Sequence, residues 1–208
     1  MTRPYSYSFS YSVLIGVAIL GLGILPVRAN AQDAPLTLAS AKVSLAGTSN
    51  IHEFTASTTE VRVIKFAIAK GIGGPGLLAA ILNPGAVDAF EIAIRSTSLA
   101  SPKEGIDKNM HKALKFEQFK DITFRLLRFE AKPELRAVGM LTIAGVEREV
   151  AFDIKTSTAG TALTVAGEVP LLMTDYGIAP PKALMGMLKT DPKVVVKFET
   201  VLAAPATY

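Results

Sequence analysis

Residues 87–94 read VDAFEIAI, with large apolar side chains at every second position. Successive side chains of an extended strand point to opposite faces, so this spacing places Phe90, Ile92 and Ile94 on one face. Glu91 falls on the other face, where solvent suits it. The stretch therefore predicts a β-strand that buries one side only.

The same kind of run recurs along the chain at intervals of about ten residues, which is typical of a sandwich or barrel. Residues 61–69 (VRVIKFAIA) alternate in the same way and predict a shared inward face for Ile64, Phe66 and Ile68. Further runs rich in Val, Ile, Leu, Phe and Thr cover residues 36–45, 50–57, 122–130, 135–143, 150–154, 163–171 and 194–198. Eight or nine strands are indicated, and we predict an all-β fold, a single antiparallel eight-stranded barrel.

One segment breaks the strand pattern and predicts a short α-helix packed on the barrel. Residues 106–116 (IDKNMHKALKF) place Ile106, Met110 and Leu114 at helical spacing along one side. Asp107 is the expected N-cap. We expect the apolar side of this helix to face the barrel.

A second departure is the loop 71–85 (GIGGPGLLAAILNPG), which carries an apolar run from Leu77 to Leu82. This run either tucks against one end of the barrel or serves as a lid or a transient membrane contact. Tucking is the favoured interpretation.

The amino terminus has the features of a cleavable signal peptide. Arg3 precedes an apolar run at residues 13–25, and Ala29-Asn30-Ala31 offers the small residues that signal peptidase reads. The run is shorter than the roughly 20 residues of a membrane span. We predict a signal peptide at residues 1–31, an exported, periplasmic protein and one domain at 32–208. A retained N-terminal anchor is the alternative.

Composition excludes several classes of function. The chain has no Cys, which removes disulfides, thiolate nucleophiles and Cys-ligated metals, and its net charge of +4 is too small to suggest nucleic-acid binding. Its two histidines, His52 and His111, do not have zinc-ligand spacing, and no phosphate-binding glycine motif occurs. We predict no enzymatic activity, no metal and no cofactor. The alternative is a hydrolase or isomerase that uses His52 with Asp175 or Glu53.

Residues 47–54 (GTSNIHEF) resemble the opening motif of the YceI-like family, and further motifs follow in the family's order. Residues 105–114 resemble its single helix and 121–124 the strand after it. Residues 138–146 (VGMLTIAGV) and 173–178 (MTDYGI) resemble two later motifs. Phe54 stands where the family often has Trp, and the proline expected beside Asp121 is absent.

The resemblance implies a lipocalin-like barrel in an exported bacterial protein whose tunnel binds an isoprenoid chain, such as a polyisoprenoid or a quinone tail. Apolar strand faces suit such a ligand, because each buried methylene group contributes about 0.8 kcal/mol. The alternative is a filled barrel that acts as a ligand-free, stress-linked interaction protein. A homodimer is compatible with an exposed barrel end.

The expected ligand-binding residues are the inward apolar side chains together with a few polar groups for a ligand head. Asn50, His52 and Asp175 are the expected polar contacts, whereas His111 is expected to be exposed. The apolar set is Phe54, Ile64, Phe66, Phe90, Ile92, Met110, Leu114, Phe124, Phe152, Ile154, Val165, Tyr176 and Phe198.

Overall fold

Ten strands and two α-helices make up the regular structure in the computed structural model, which describes residues 36–131, 133–183 and 187–204. The predicted signal peptide, residues 1–31, lies outside the described residues. The helices are α1 (Leu77–Ala80) and α2 (Glu104–Ala113). The strands are β1 (Thr37–Ser49), β2 (Glu53–Thr58), β3 (Val61–Ile68), β4 (Val87–Arg95), β5 (Asp121–Glu130), β6 (Arg136–Ile143), β7 (Val146–Ala159), β8 (Ala162–Leu172), β9 (Lys182–Ala183) and β10 (Leu188–Ala203).

Nine of these strands form one curled antiparallel sheet in the order β2-β1-β10-β8-β7-β6-β5-β4-β3, and β9 pairs only with β10. The prediction of an all-β antiparallel fold is confirmed. The predicted eight-stranded barrel differs slightly in strand count: nine strands form the sheet, one for each of the nine runs in the sequence, and the two-residue strand β9 is additional. The apolar faces of the strands lie on the concave side of the sheet.

The two ends of the strand order, β2 and β3, are joined directly through Thr59 and Glu60. The segment that follows β4 crosses beside the free edge of β2, where Ser57 and Ala100 exchange backbone hydrogen bonds of 2.8 and 3.0 Å. This connection holds the end of β4 against β2. It therefore supports the curl of the sheet.

A β-bulge changes the inward face of β3. Val63 pairs with Ile92 and Lys65 with Glu91, so Ile64 is the extra residue between two regular pairs. Its side chain is 52% exposed. The prediction that Ile64 shares an inward face with Phe66 is wrong, because the bulge shifts the alternation by one residue.

Helix α2 forms close to its predicted position but begins two residues earlier. Lys103 is the N-cap residue and makes no side-chain capping bond. Asp107, the expected cap, instead accepts a hydrogen bond of 2.6 Å from the backbone N–H of Ser101. His111 was expected to be exposed, but its ring is half-buried with Nε2 2.8 Å from the Leu99 carbonyl oxygen. This contact ties the helix to the segment that leads into it.

The apolar run 77–82 closes one end of the barrel. Leu77 and Ile81 are buried and form a cluster with Leu36 and Leu163, while Leu82 packs against them. The tucked arrangement is therefore the one observed. This end of the barrel is apolar on both the loop and the strands.

We predict that Leu163→Ala lowers the free energy of unfolding by about 2–5 kcal/mol, because Leu163 is only 2% exposed and its loss leaves a cavity in the end cluster. Leu127→Ala is the matched control. Leu127 is the extra residue of the bulge in β5 and is 41% exposed, so we expect a change below about 1 kcal/mol. Denaturant unfolding measures both. Equal losses would contradict this account of the end cluster.

Candidate ligand-binding cavity

The concave face of the sheet encloses a cavity of about 570 Å³. Sites for small molecules and cofactors span about 300–1,000 Å³, so the space is large enough for a ligand. Apolar side chains from the strands and from α2 make up nearly all of its wall. Such a wall favours a hydrocarbon and offers few partners to a polar molecule.

Three phenylalanine rings line the middle of the cavity in an unbroken row. Phe152 contacts Phe124 and Phe198, with ring centroids 5.7 and 5.5 Å apart. A Cβ atom at Gly139 would lie 2.5 Å from the Phe124 ring, and one at Gly167 would lie 2.8 Å from the Phe198 ring. Because both positions are glycine, each ring occupies the space that a side chain on the neighbouring strand would take. This packing keeps the centre of the barrel open.

Twelve of the thirteen predicted apolar residues line this cavity, and the exception is Ile64 on its bulge. The helix contributes Met110 and Leu114 to the wall, as its spacing predicted. The twelve are Phe54, Phe66, Phe90, Ile92, Met110, Leu114, Phe124, Phe152, Ile154, Val165, Tyr176 and Phe198. Their role in binding remains a prediction.

Most polar groups of the lining gather at the end of the barrel opposite α1. Ser49 and Thr190 face each other across β1 and β10 there, next to His52. Lys103 and Asn109 contribute from the start and the middle of the helical segment. We call this end the mouth. The exception is Thr200, near the α1 end, whose hydroxyl donates to the Val165 carbonyl oxygen at 3.2 Å. A chain-like ligand with one polar head would therefore meet most of its polar partners at the mouth.

Of the three predicted polar contacts, only His52 borders the cavity. The Asn50 side chain is occupied by the backbone: Nδ2 donates to the Met187 carbonyl oxygen and Oδ1 accepts from the Lys189 N–H, both at 2.8 Å. Asp175 is exposed outside the cavity lining. Asn50 and Asp175, which were predicted to contact a ligand head group, therefore do not line the cavity.

Four polar residues at the mouth were missed from the sequence, namely Ser49, Lys103, Asn109 and Thr190. Asn109 lies three residues after Ile106 and one before Met110, so the helical spacing itself put it on the inward side. Because Asn109 is polar, it was not counted among the apolar side chains that mark the inward side of the helix. Lys103 stands before the helix in a segment with no periodic pattern, so its place at the cavity follows only from the fold.

Tyr176 is the one tyrosine among the described residues, and it is 3% exposed. It ends the 3-10 turn Met173–Tyr176, and the next residue, Gly177, takes a left-handed φ of 63°. Among the described residues its hydroxyl oxygen has no hydrogen-bond partner. Burial raises the pKa of the Tyr176 hydroxyl above the usual 10.0, the charge of Asp175 adds to this, and Arg148 opposes it.

We predict that Tyr176→Phe raises the free energy of unfolding by about 1 kcal/mol near neutral pH, because it removes a buried hydroxyl that lacks a partner. Because the pKa of Tyr176 is higher in the folded state than in the unfolded state, the unfolded state loses the hydroxyl proton first as the pH rises above 10. The wild type therefore loses stability between pH 10 and the folded-state pKa. The advantage of Tyr176→Phe over the wild type should therefore grow above pH 10. Denaturant unfolding at pH 8 and pH 11 measures it. A difference that stays constant or shrinks would contradict the burial of the hydroxyl.

Metal-binding clusters and membrane-spanning helices are both absent from the described residues. Residues 36–131, 133–183 and 187–204 contain no group of three or more His, Asp or Glu side chains placed to hold a metal ion. Within the same residues, no helix has the length and apolarity to cross a membrane.

Solved structures with the same fold share little sequence with this chain. BcnA of Burkholderia cenocepacia aligns with a TM-score of 0.61 at 13% identity, covering 77% of this chain and 95% of BcnA. A polyisoprenoid binding domain from Saccharophagus degradans aligns at 0.56 and 13% identity, covering 83% and 99%. The Campylobacter jejuni YCEI protein aligns at 0.51 and 14% identity, covering 71% and 85%.

A comparison with curated protein sequences gives no match. The family model of the YceI-like domain, in contrast, matches residues 51–202. The match runs from the turn after β1 to Leu202 in β10, and so spans α2 and every strand of the cavity wall except β1. The chain belongs to the YceI-like family.

Proposed function

We propose that this chain is an exported protein that binds one isoprenoid lipid, with the chain of the lipid in the cavity and its head at the mouth. The observation that carries the proposal is an open, apolar cavity of about 570 Å³ whose polar groups lie mostly at one end. A structural neighbour is a polyisoprenoid binding domain from Saccharophagus degradans, which supports the choice of ligand class.

The wall of the cavity suits a long hydrocarbon. Each buried methylene group contributes about 0.8 kcal/mol, so one isoprene unit of five carbons contributes on the order of 4 kcal/mol before the cost of ordering the chain. The aromatic row of Phe124, Phe152 and Phe198 offers a continuous apolar surface along the path. Affinity then depends on the length of chain buried.

The two ends of the cavity give the ligand one orientation. Ile81 and Leu82 close the α1 end, where a polar head would lose its hydration without compensation. His52, Lys103 and Asn109 at the mouth offer donors to a phosphate, a hydroxyl or a quinone carbonyl. Both a polyisoprenoid and a quinone fit this arrangement.

We propose binding without chemistry in the periplasm, after removal of residues 1–31. His52 is exposed at the mouth, and both of its partners in the enzymatic alternative, Asp175 and Glu53, lie outside the cavity lining. The open interior favours a carrier over the alternative of a filled barrel. No observation favours catalysis.

Val196 and Val195 are adjacent on β10, and they provide a matched test. Val196 lines the cavity, whereas Val195 lies on the opposite face of the same strand. We predict that Val196→Trp weakens binding of a fluorescent prenyl probe by at least about tenfold, because the indole occupies space that the ligand needs. Val195→Trp should bind as the wild type does.

Fluorescence titration with a labelled geranylgeranyl chain measures both variants, with thermal unfolding as the check on folding. Unchanged binding by a folded Val196→Trp variant would show that the prenyl chain does not occupy the cavity. Equal losses in the two variants would point to a general effect of the tryptophan.

A further inference from the structure

The two most exposed large apolar side chains among the described residues both lie on turns at the mouth. Met187 is 69% exposed and Ile51 is 57% exposed. Leu172, at the end of β8, is also exposed and borders the cavity. We call Ile51, Leu172 and Met187 the apolar rim. None of these three apolar side chains is buried by the rest of the fold.

The polar side chains beside the rim are used to fix its backbone. Asn50 joins the two turns: its side chain contacts the Met187 carbonyl and the Lys189 N–H, and its own N–H donates to the Lys189 carbonyl at 3.1 Å. Ser49 Oγ accepts from the N–H groups of Ile51 and His52, at 3.3 and 3.1 Å. The exposure of Ile51 and Met187 therefore belongs to an ordered arrangement.

The rim is continuous with the cavity. Ser49 and His52 line the cavity on either side of Ile51 in the sequence, and Leu188 lines it immediately after Met187. Any surface that covers the rim therefore also covers the mouth. A ligand that leaves the cavity there passes directly into whatever the rim contacts.

The charge around the mouth favours an anionic partner. The four segments around it, residues 49–53, 103–115, 172–178 and 187–193, contain six lysines and five acidic residues. Lys103 borders the cavity itself, and Lys189 is exposed beside Met187. Lysines near an anionic bilayer are attracted to it, and apolar side chains next to them insert below the head groups.

We propose that the apolar rim docks on the surface of an anionic lipid bilayer and that isoprenoid lipids enter and leave the cavity through this contact. The inference rests on the proposed function, since an isoprenoid chain is dissolved in the bilayer and would cross little water on this route. The loop 77–82, the other candidate for a membrane contact, has Leu77 and Ile81 buried at the opposite end.

The test compares two isoleucines of similar exposure. Ile51→Ser changes the rim, and Ile64→Ser changes an isoleucine that is 52% exposed on the bulge of β3, outside the cavity lining. The vesicles contain phosphatidylethanolamine and phosphatidylglycerol and carry a fluorescent geranylgeranyl lipid. Flotation measures vesicle binding, and the fluorescence change measures transfer to the protein.

We expect Ile51→Ser and Met187→Ser to lower both vesicle binding and the transfer rate by about tenfold, because each removes apolar surface that the bilayer buries. Ile64→Ser should match the wild type. All variants should bind a short soluble prenyl probe with the affinity of the wild type, since none of the three residues changed lines the cavity.

Vesicle binding that is the same for Ile51→Ser as for the wild type would overturn the proposal, as would an equal loss in Ile64→Ser. A dimer that dissociates on Ile51→Ser in sedimentation, with vesicle binding unchanged, would make the rim a contact between two copies and also overturn it. Failure of the wild type to bind the soluble probe would instead count against the proposed function, whereas flotation on vesicles without the geranylgeranyl lipid tests the rim independently of any ligand.

Discussion

The open interior of this barrel depends on aromatic rings that lie against glycine. In a closed or strongly curled sheet the inward side chains usually fill the space between the strands. Here Phe124 covers Gly139, Phe198 covers Gly167 and Phe54 covers Gly47, so each ring takes the place of a missing side chain on the neighbouring strand. The rings contribute apolar surface to the wall without projecting across the cavity. The packing of the sheet and the space for a ligand therefore have the same origin.

The cavity is also asymmetric along the barrel axis. At one end Leu77 and Ile81 pack with Leu36 and Leu163, which makes a dry, apolar closure. At the other end the turn after β1 supplies His52, and the region of α2 supplies further polar groups. An isoprenoid lipid has the same asymmetry, with an apolar chain and one polar head. The proposed orientation follows from matching the two, and the rim then faces the membrane from which such a lipid comes.

Local periodicity was enough to predict the class of the fold and most of the wall. Phe90, Ile92 and Phe152 were assigned to the interior because alternation along a strand does not depend on the partner strand. The position of a β-bulge, in contrast, depends on how the two strands pair. Ile64 is displaced by the way β3 pairs with β4, and nothing within residues 61–69 marks the position. The short strand β9 was missed for a related reason, since two residues are too few for a periodic pattern and only their pairing with β10 marks them as a strand.

Contacts between residues far apart in the chain could not be predicted from the sequence either. Asn50 binds Met187 and Lys189, which follow it by 137 and 139 residues, and no local pattern connects these positions. Its motif neighbours suggested a ligand contact, but the structure uses its amide to hold two turns together. The partners of Phe124 and Phe198 are glycines on neighbouring strands, which is likewise information that only the sheet contains.

The most direct test of the central claim is native mass spectrometry of the purified protein, followed by organic extraction and identification of what it carries. The account predicts a mass increase that corresponds to one lipid per chain and an extract that contains a long isoprenoid. A protein of unmodified mass that also fails to take up added polyisoprenoid or quinone would contradict it.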